Sequence, residues 1–183
     1  MTKKDPPAEY VLLGALMSGP QHGYEILQFL SETFGNTWYV ATSQVYVVLK
    51  RLEGEGLVES SVQTQDTRPS KRVFAVSSSG KKAFTIWLRK PVPHVRDLRM
   101  EFMAKLYFFR HLGWGGGEAL IFSQIQLLTE IKNRIEDRRA EMKDPFERMN
   151  FGYKRAAILA ALQWLREEAK PFMEEFQDDD RDL

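Results

Sequence analysis

Thr42-Ser-Gln-Val-Tyr46-Val-Val-Leu49-Lys-Arg-Leu52-Glu-Gly-Glu-Gly56-Leu-Val58 is the stretch on which the fold turns. Val45, Val48, Leu49 and Leu52 fall at i, i+3, i+4 and i+7, the stripe of a helix that buries one side. Thr42 stands where a capping hydroxyl belongs, and Gly54 to Gly56 end the segment. After Gly56 the pattern becomes short and β-branched, first in Leu57-Val-Glu-Ser-Ser-Val62 and again in Arg72-Val-Phe-Ala-Val76. The polar stretch Gln63 to Lys71, with Asp66, Arg68 and Pro69, joins the two runs as an exposed hairpin loop with a basic tip.

Upstream lie two more helical patterns. Residues 8–18 place Val11, Leu12, Ala15 and Leu16 at helical spacing before Gly19-Pro20; residues 23–34 do the same with Ile26, Leu27, Leu30 and Phe34 before Gly35. Three helices followed by a strand, a loop and a strand is the order of a winged helix-turn-helix, whose third helix enters the major groove while the hairpin loop lies along the backbone or minor groove. At 100° per residue, turning Val45, Val48, Leu49 and Leu52 inward turns Ser43, Val47, Lys50 and Gly54 outward, flanked by Gln44, Tyr46 and Arg51. Gln44 is suited to adenine, Lys50 and Arg51 to guanine or phosphate, and the Ser43 and Tyr46 hydroxyls to phosphate oxygens. The wing adds Arg68, Lys71 and Arg72. A Lys-Arg pair on a helix is commonly a solvated face. Basic groups on both surfaces that a winged unit offers to one duplex favour DNA binding.

Helix resumes near Gly80, with Ala83, Phe84, Trp87 and Leu88 on one side, until Pro91-Val-Pro93 breaks it. We take this break as the boundary between a winged DNA-binding domain, residues 1–90, and an all-helical dimerisation domain, residues 94–183. The fold class is therefore mainly α, with a two-stranded wing. The second part predicts a helix over 97–111, a glycine turn at Gly113 to Gly117, a long helix over 118–142 ended by Asp144-Pro145, and a last helix from about Phe151 to beyond Leu165. Pro171 predicts a kink or break, and Asp178-Asp-Asp180 a frayed acidic tail. Ile121, Ile125 and Leu128 on the long helix, with Ile158, Leu162 and Leu165 spaced like a coiled-coil seam on the last, offer more apolar surface than one small lobe hides, which predicts a homodimer.

Charge supports the division. The 183 residues carry a net +1, but residues 1–90 hold 11 Lys or Arg against 8 Asp or Glu and residues 91–183 hold 15 against 17, so the first part is +3 and the second −2. A modestly basic half beside a near-neutral one suits a DNA reader joined to an assembly domain. Hydrophobic residues at 43% and charged residues at 28% are the balance of a globular protein, and no apolar run approaches the roughly 20 residues of a membrane span. With no cysteine there is neither disulfide nor thiolate metal site, and a reducing cytoplasm is the expected location. His22, His94 and His111 lie far apart with no carboxylate at ligand spacing, so no metal or other cofactor is expected. Gly113 to Gly117 follows no strand and precedes no Gly-Lys-Ser/Thr, and Ser77-Ser-Ser79 sits in no Gly-x-Ser-x-Gly elbow; no enzyme activity is expected.

Several spaced motifs together resemble the PadR family of bacterial transcriptional regulators: Tyr10-Val-Leu-Leu-Gly14-Ala-Leu16, Gly19-Pro-Gln-His-Gly23-Tyr-Glu-Ile26, Trp38, Ser43 through Val58, Pro69-Ser-Lys-Arg-Val-Phe74, and Gly80 through Leu88. The match spans roughly residues 8–90, and the remainder is similar in pattern to the helical extension of the longer, AphA-like members. Val47 stands where the family often has proline, and Phe74 where tyrosine is usual. The resemblance implies a dimer on an inverted-repeat operator, commonly repressing until a small molecule, in some members a phenolic acid, loosens it; a small aromatic effector is the expected partner. The dense aromatic run Phe102 to Phe109, with Arg96, Arg99 or Lys105 to meet a carboxylate, is the expected neighbourhood of such an effector. An activator working with a second regulator, or a winged interaction module without DNA binding, are the alternatives.

Overall fold

The computed structural model describes residues 8–35, 38, 40–65 and 68–179. The chain divides into two compact units, Met1–Leu88 and Arg89–Leu183.

In the first unit, α1 (Ala8–Met17) is buried from Val11 through Leu16, because a helix apolar on every side can only be central. Around it pack α2 (Gly23–Phe34), α3 (Thr42–Gly54) and α4 (Ser78–Arg89), the last sending in Phe84, Trp87 and Leu88. Ile26, Leu30, Val45, Leu49 and Leu52 meet α1 from the helix-turn-helix side, each such side chain contributing about 1.5–3 kcal/mol on burial. Tyr10 stacks on Trp87 at 5.1 Å and 2° between planes.

The sheet has three antiparallel strands, not two. β1 (Gln21–His22) pairs with β3 (Arg68–Val76), which pairs with β2 (Val58–Gln65), in the order β1-β3-β2. β1 is too short to have a periodicity, so only the register Gln21↔Phe74 and His22↔Val73 reveals it. The hairpin is longer than the β-branched runs suggest: its polar ends stay in the ladder, Gln63 against Lys71 and Gln65 against Arg68, across an irregularity between Gln63 and Gln65. Asp66 and Thr67 lie outside the described residues, and so do the side chains of 63–65 and 68–71. The cap of α3 falls on Ala41, without a side-chain bond; Thr42 is the first helical residue.

Among the described residues the regular structure of the second unit is all helical. α5 (Val95–Asp97) runs through a π-helical segment, Leu98–Phe102, into α6 (Met103–His111); α7 (Gly117–Ala140) follows the glycine turn. α8 (Pro145–Trp164) starts six residues earlier than expected, because Asp144 accepts from the Glu147 amide at 2.7 Å and Pro145 occupies the first turn. The pair that ends one helix also begins the next. Pro171 breaks nothing. A second π-helical segment, Leu165–Ala169, precedes it, with the Lys170 amide donating to Leu165, and the chain continues as α9 (Lys170–Asp179). A π turn shifts the pairing by one residue, so the proline's missing N–H is absorbed in an already altered ladder. Asp180, the end of the expected acidic tail, lies outside the described residues.

Candidate nucleic-acid interface

Along α3, Ser43, Gln44, Val47 and Lys50 are exposed, Val47 at 68%, while Val45, Val48, Leu49 and Leu52 are buried. Packing that stripe on α1 and α2 forces the opposite side outward, so the face read from spacing is the face presented. Among the described residues no ion pair engages Lys50.

The two arginines behave differently. The Arg51 guanidinium pairs with Glu9 of α1 and approaches Glu55 at 3.9 Å, which turns it toward its own unit. Arg72 donates through Nη2 to both Glu53 oxygens, at 2.7 and 2.6 Å, and through Nε to Ser60 Oγ at 2.8 Å, with its carbon 5.3 Å from the Phe74 ring centre. Ser60 Oγ in turn donates to Glu53 at 2.6 Å. The Ser60 hydroxyl, followed by Arg72, holds the Glu53 carboxyl below its ordinary range. Arg72 therefore ties the base of the wing to the last turn of α3. Spacing missed Glu53 as the anchor because an exposed helical glutamate looks like solvated surface; only the fold brings Arg72, 19 residues away, against it.

Tyr46 is 46% exposed and lies over the start of α2: a Cβ on Gly23 would fall 2.6 Å from Tyr46 Oη and 2.7 Å from its ring. Glycine at position 23 lets the recognition helix approach the helix before it, and part of the tyrosine is spent on that contact. Tyr24, 72% exposed at the same helix start, is an aromatic that periodicity had not singled out. The side chains of Arg68 and Lys71, expected at the tip, lie outside the described residues.

In the second unit the expected dimer seam is largely consumed. Ile121, Leu128, Ile158, Leu162 and Leu165 are each at most 4% exposed within a single chain, and Ile125 is half-buried, because α7 and α8 pack on each other as a hairpin. Arg155 of α8 reinforces that hairpin by reaching Glu136 of α7 at 2.6 Å, and Lys132, one turn away on α7, meets the same carboxylate at 3.1 Å. Five of the apolar residues left outside form another line on α8: Phe146 at 65%, Met149 at 60% and Tyr153 at 76%, continued by exposed Ala156 and Ala160. Their steps of three and four are those of a coiled-coil seam.

The residues expected to meet an effector carboxylate divide as well. Arg96 is open and 3.6 Å from Asp97, and Arg99 is exposed, but Lys105 is 1% exposed and already bound to Glu101 and to the Lys90 carbonyl, at 2.9 and 2.7 Å. Phe102, Phe108 and Phe109 fill the core of this unit. Among the described residues no group of three or more His, Cys, Asp or Glu is placed to hold a metal, and no helix is long and apolar enough to cross a membrane.

Three helices with an antiparallel hairpin after the third make the first unit a winged helix-turn-helix. Residues 12–86, most of this unit, match the family described as transcriptional regulator PadR-like. The "Negative transcriptional regulator PadR" of Bacillus subtilis (strain 168) is 29% identical over 136 residues, 74% of this chain and 69% of that protein. The "Probable transcriptional regulator Rv1176c" of Mycobacterium tuberculosis is 28% identical over 90 residues, 49% and 48% of the two. Among solved structures, Bacillus subtilis PadR in complex with operator DNA aligns over 90% of this chain and 98% of its own at 23% identity and TM-score 0.46. The PadR-like regulator BC1756 of Bacillus cereus aligns over 94% and 99% at 22% and 0.45. The relatives are described as regulators of transcription, in agreement with the expectation that the chain is no enzyme.

Proposed function

We propose that the chain is a DNA-binding transcriptional regulator that acts in the cytoplasm as a homodimer, represses by occupying an inverted-repeat operator, and is released by a small aromatic effector. The observation that carries this reading is the outward side of α3: Ser43, Gln44, Val47 and Lys50 stand together, exposed, on a winged unit that matches the PadR-like family. A side-chain amide, a hydroxyl, an ammonium and a methyl-bearing group are the means of reading base edges and phosphates. Arg51 and Arg72 contribute by holding this helix and the wing, and Arg68 and Lys71 are the further basic residues that the sequence offers for phosphate contact. The sign of regulation follows the Bacillus subtilis relative, whose name is that of a negative regulator.

Dimerisation is assigned to the outer line of α8. Phe146, Met149 and Tyr153 are large and exposed, and Ala156 and Ala160 permit close approach of a second α8, so two copies cover each other's seam. Such a dimer presents two recognition helices to one palindromic site.

The test is Lys50→Glu combined with Gln44→Ala, assayed against duplexes that the native chain enriches from a randomised library. Binding should be lost with the dimer intact, and each lost phosphate contact should flatten the log-affinity against log-salt slope by about 0.9. Unchanged affinity would mean that α3 is not the reading surface and would favour a winged protein-interaction module. For the effector, tryptophan fluorescence and operator affinity should both respond to some member of a panel of aromatic acids; indifference of both removes that part of the reading.

A further inference from the structure

On α3 the buried stripe Val45, Val48, Leu49 and Leu52 fixes which way every other side chain of the helix points. At about 100° per residue, Val47 lies about 150° from the middle of that stripe, with Gln44 and Lys50 about 60° to either side and roughly 4.5 Å before and after it along the axis. Val47 is thus the crest of the outward face, and it is 68% exposed. Tyr46, the other large apolar side chain exposed on this helix, is laid over the start of α2, where a Cβ on Gly23 would fall 2.7 Å from its ring. The helix itself does not call for valine at its crest: branching at Cβ lowers helix propensity, and alanine serves an exposed helical position better. What the branch supplies is a pair of methyl groups whose χ1 is nearly fixed, so they meet a ligand with little further loss of entropy.

A single exposed valine is ordinary on most surfaces. Between a glutamine and a lysine that face base edges, it faces the floor of the groove. The major groove offers one apolar group there, the C5 methyl of thymine, among the donors and acceptors that an amide or an ammonium reads. We propose that Val47 is a specificity-determining residue whose methyl groups read the C5 methyl of a thymine, within about one or two base pairs of those facing Gln44 and Lys50. The inference rests on the DNA-binding reading above and involves the first unit alone. Its consequence is discrimination between thymine and uracil, which pair alike and differ by that methyl group.

The experiment uses the full chain and the duplex it enriches from a randomised library, with each thymine replaced in turn by deoxyuridine. For the native chain, a thymine of the half-site should be marked by a loss of about 4-fold in affinity, the worth of one buried methyl group. At the marked position cytosine should bind less well than 5-methylcytosine by about the same factor, because the methyl returns on a different base pair. Val47→Ala should bring the loss at that thymine below about 1.5-fold and leave the response at other thymines as it was, whereas Val47→Ile, which keeps the branch, should retain it. Val47→Ser supplies the same comparison should the alanine variant not fold. A native chain indifferent to uracil at every thymine, or a loss that survives in full without the valine, overturns the inference and leaves the DNA-binding reading standing. If the native chain enriches no duplex, the DNA-binding reading itself fails, and the proposed role with it.

Discussion

Glu53 accepts three hydrogen bonds through its two oxygens, one from Ser60 and two from Arg72, and each favours the ionised form. Its folded-state pKa is depressed, chiefly by Ser60 and then by Arg72, so the stability it contributes is present above the unfolded value of about 4.3 and is lost as pH falls through the folded one. Urea midpoints of the native chain and Glu53→Gln should therefore differ at neutral pH and converge as pH drops below about 4. A gap independent of pH would mean that the carboxylate charge is not what holds the wing. Gly23→Ala is the second residue-scale change, since the new methyl meets the Tyr46 ring. It should cost about 1–3 kcal/mol and weaken operator binding, and adding Tyr46→Ala should return the stability but not the affinity, because removing the ring relieves the clash without restoring the approach of α3 to α2.

At the scale of elements, α8 presents two faces that substitution should separate. Ile158, Leu162 and Leu165 fill the interior, so Leu162→Ala should lower the unfolding free energy by about 2–5 kcal/mol and leave the dimer at concentrations where the chain is folded. Met149→Glu with Tyr153→Glu changes only exposed positions and should give a folded monomer, read by sedimentation equilibrium. A seam variant that stays dimeric would move the interface elsewhere. The same helix shows what spacing alone can decide. Both lines on α8 have coiled-coil steps, and the more aliphatic one reads as the seam from sequence. The choice of which line meets another chain depends on where α7 lies, and α7 takes the aliphatic line for itself. Of the helices of the winged unit, α2, α3 and α4 were legible because each has one apolar stripe and one partner surface, and α1 because its apolar run stops at Gly19-Pro20. β1 was not, since two residues carry no period and pair only with a strand about 50 positions away.

For the whole molecule, the proposed dimeric reading makes affinity for a complete operator a product of two modest half-site contacts and their coupling through the dimer. The seam variant should bind a full inverted repeat no better than a single half-site, losing about 100- to 10,000-fold relative to the native chain, as measured by fluorescence anisotropy on both duplexes. Equal losses on both duplexes would place the defect in the reading surface rather than in the assembly.

Length, the order of helical and β-branched runs, the inward stripe of α3 and the family motifs over the first unit were determined by the sequence alone, because nearest-neighbour periodicity and turn residues are local properties of the chain. The assignment of Arg72 to Glu53, the covering of Ile121, Leu128 and Leu162 by their own chain, and the capture of Val92 by Gln124 were decided only by tertiary structure. Each of these is a choice among several chemically suitable partners, and proximity in space, which no local pattern encodes, makes that choice.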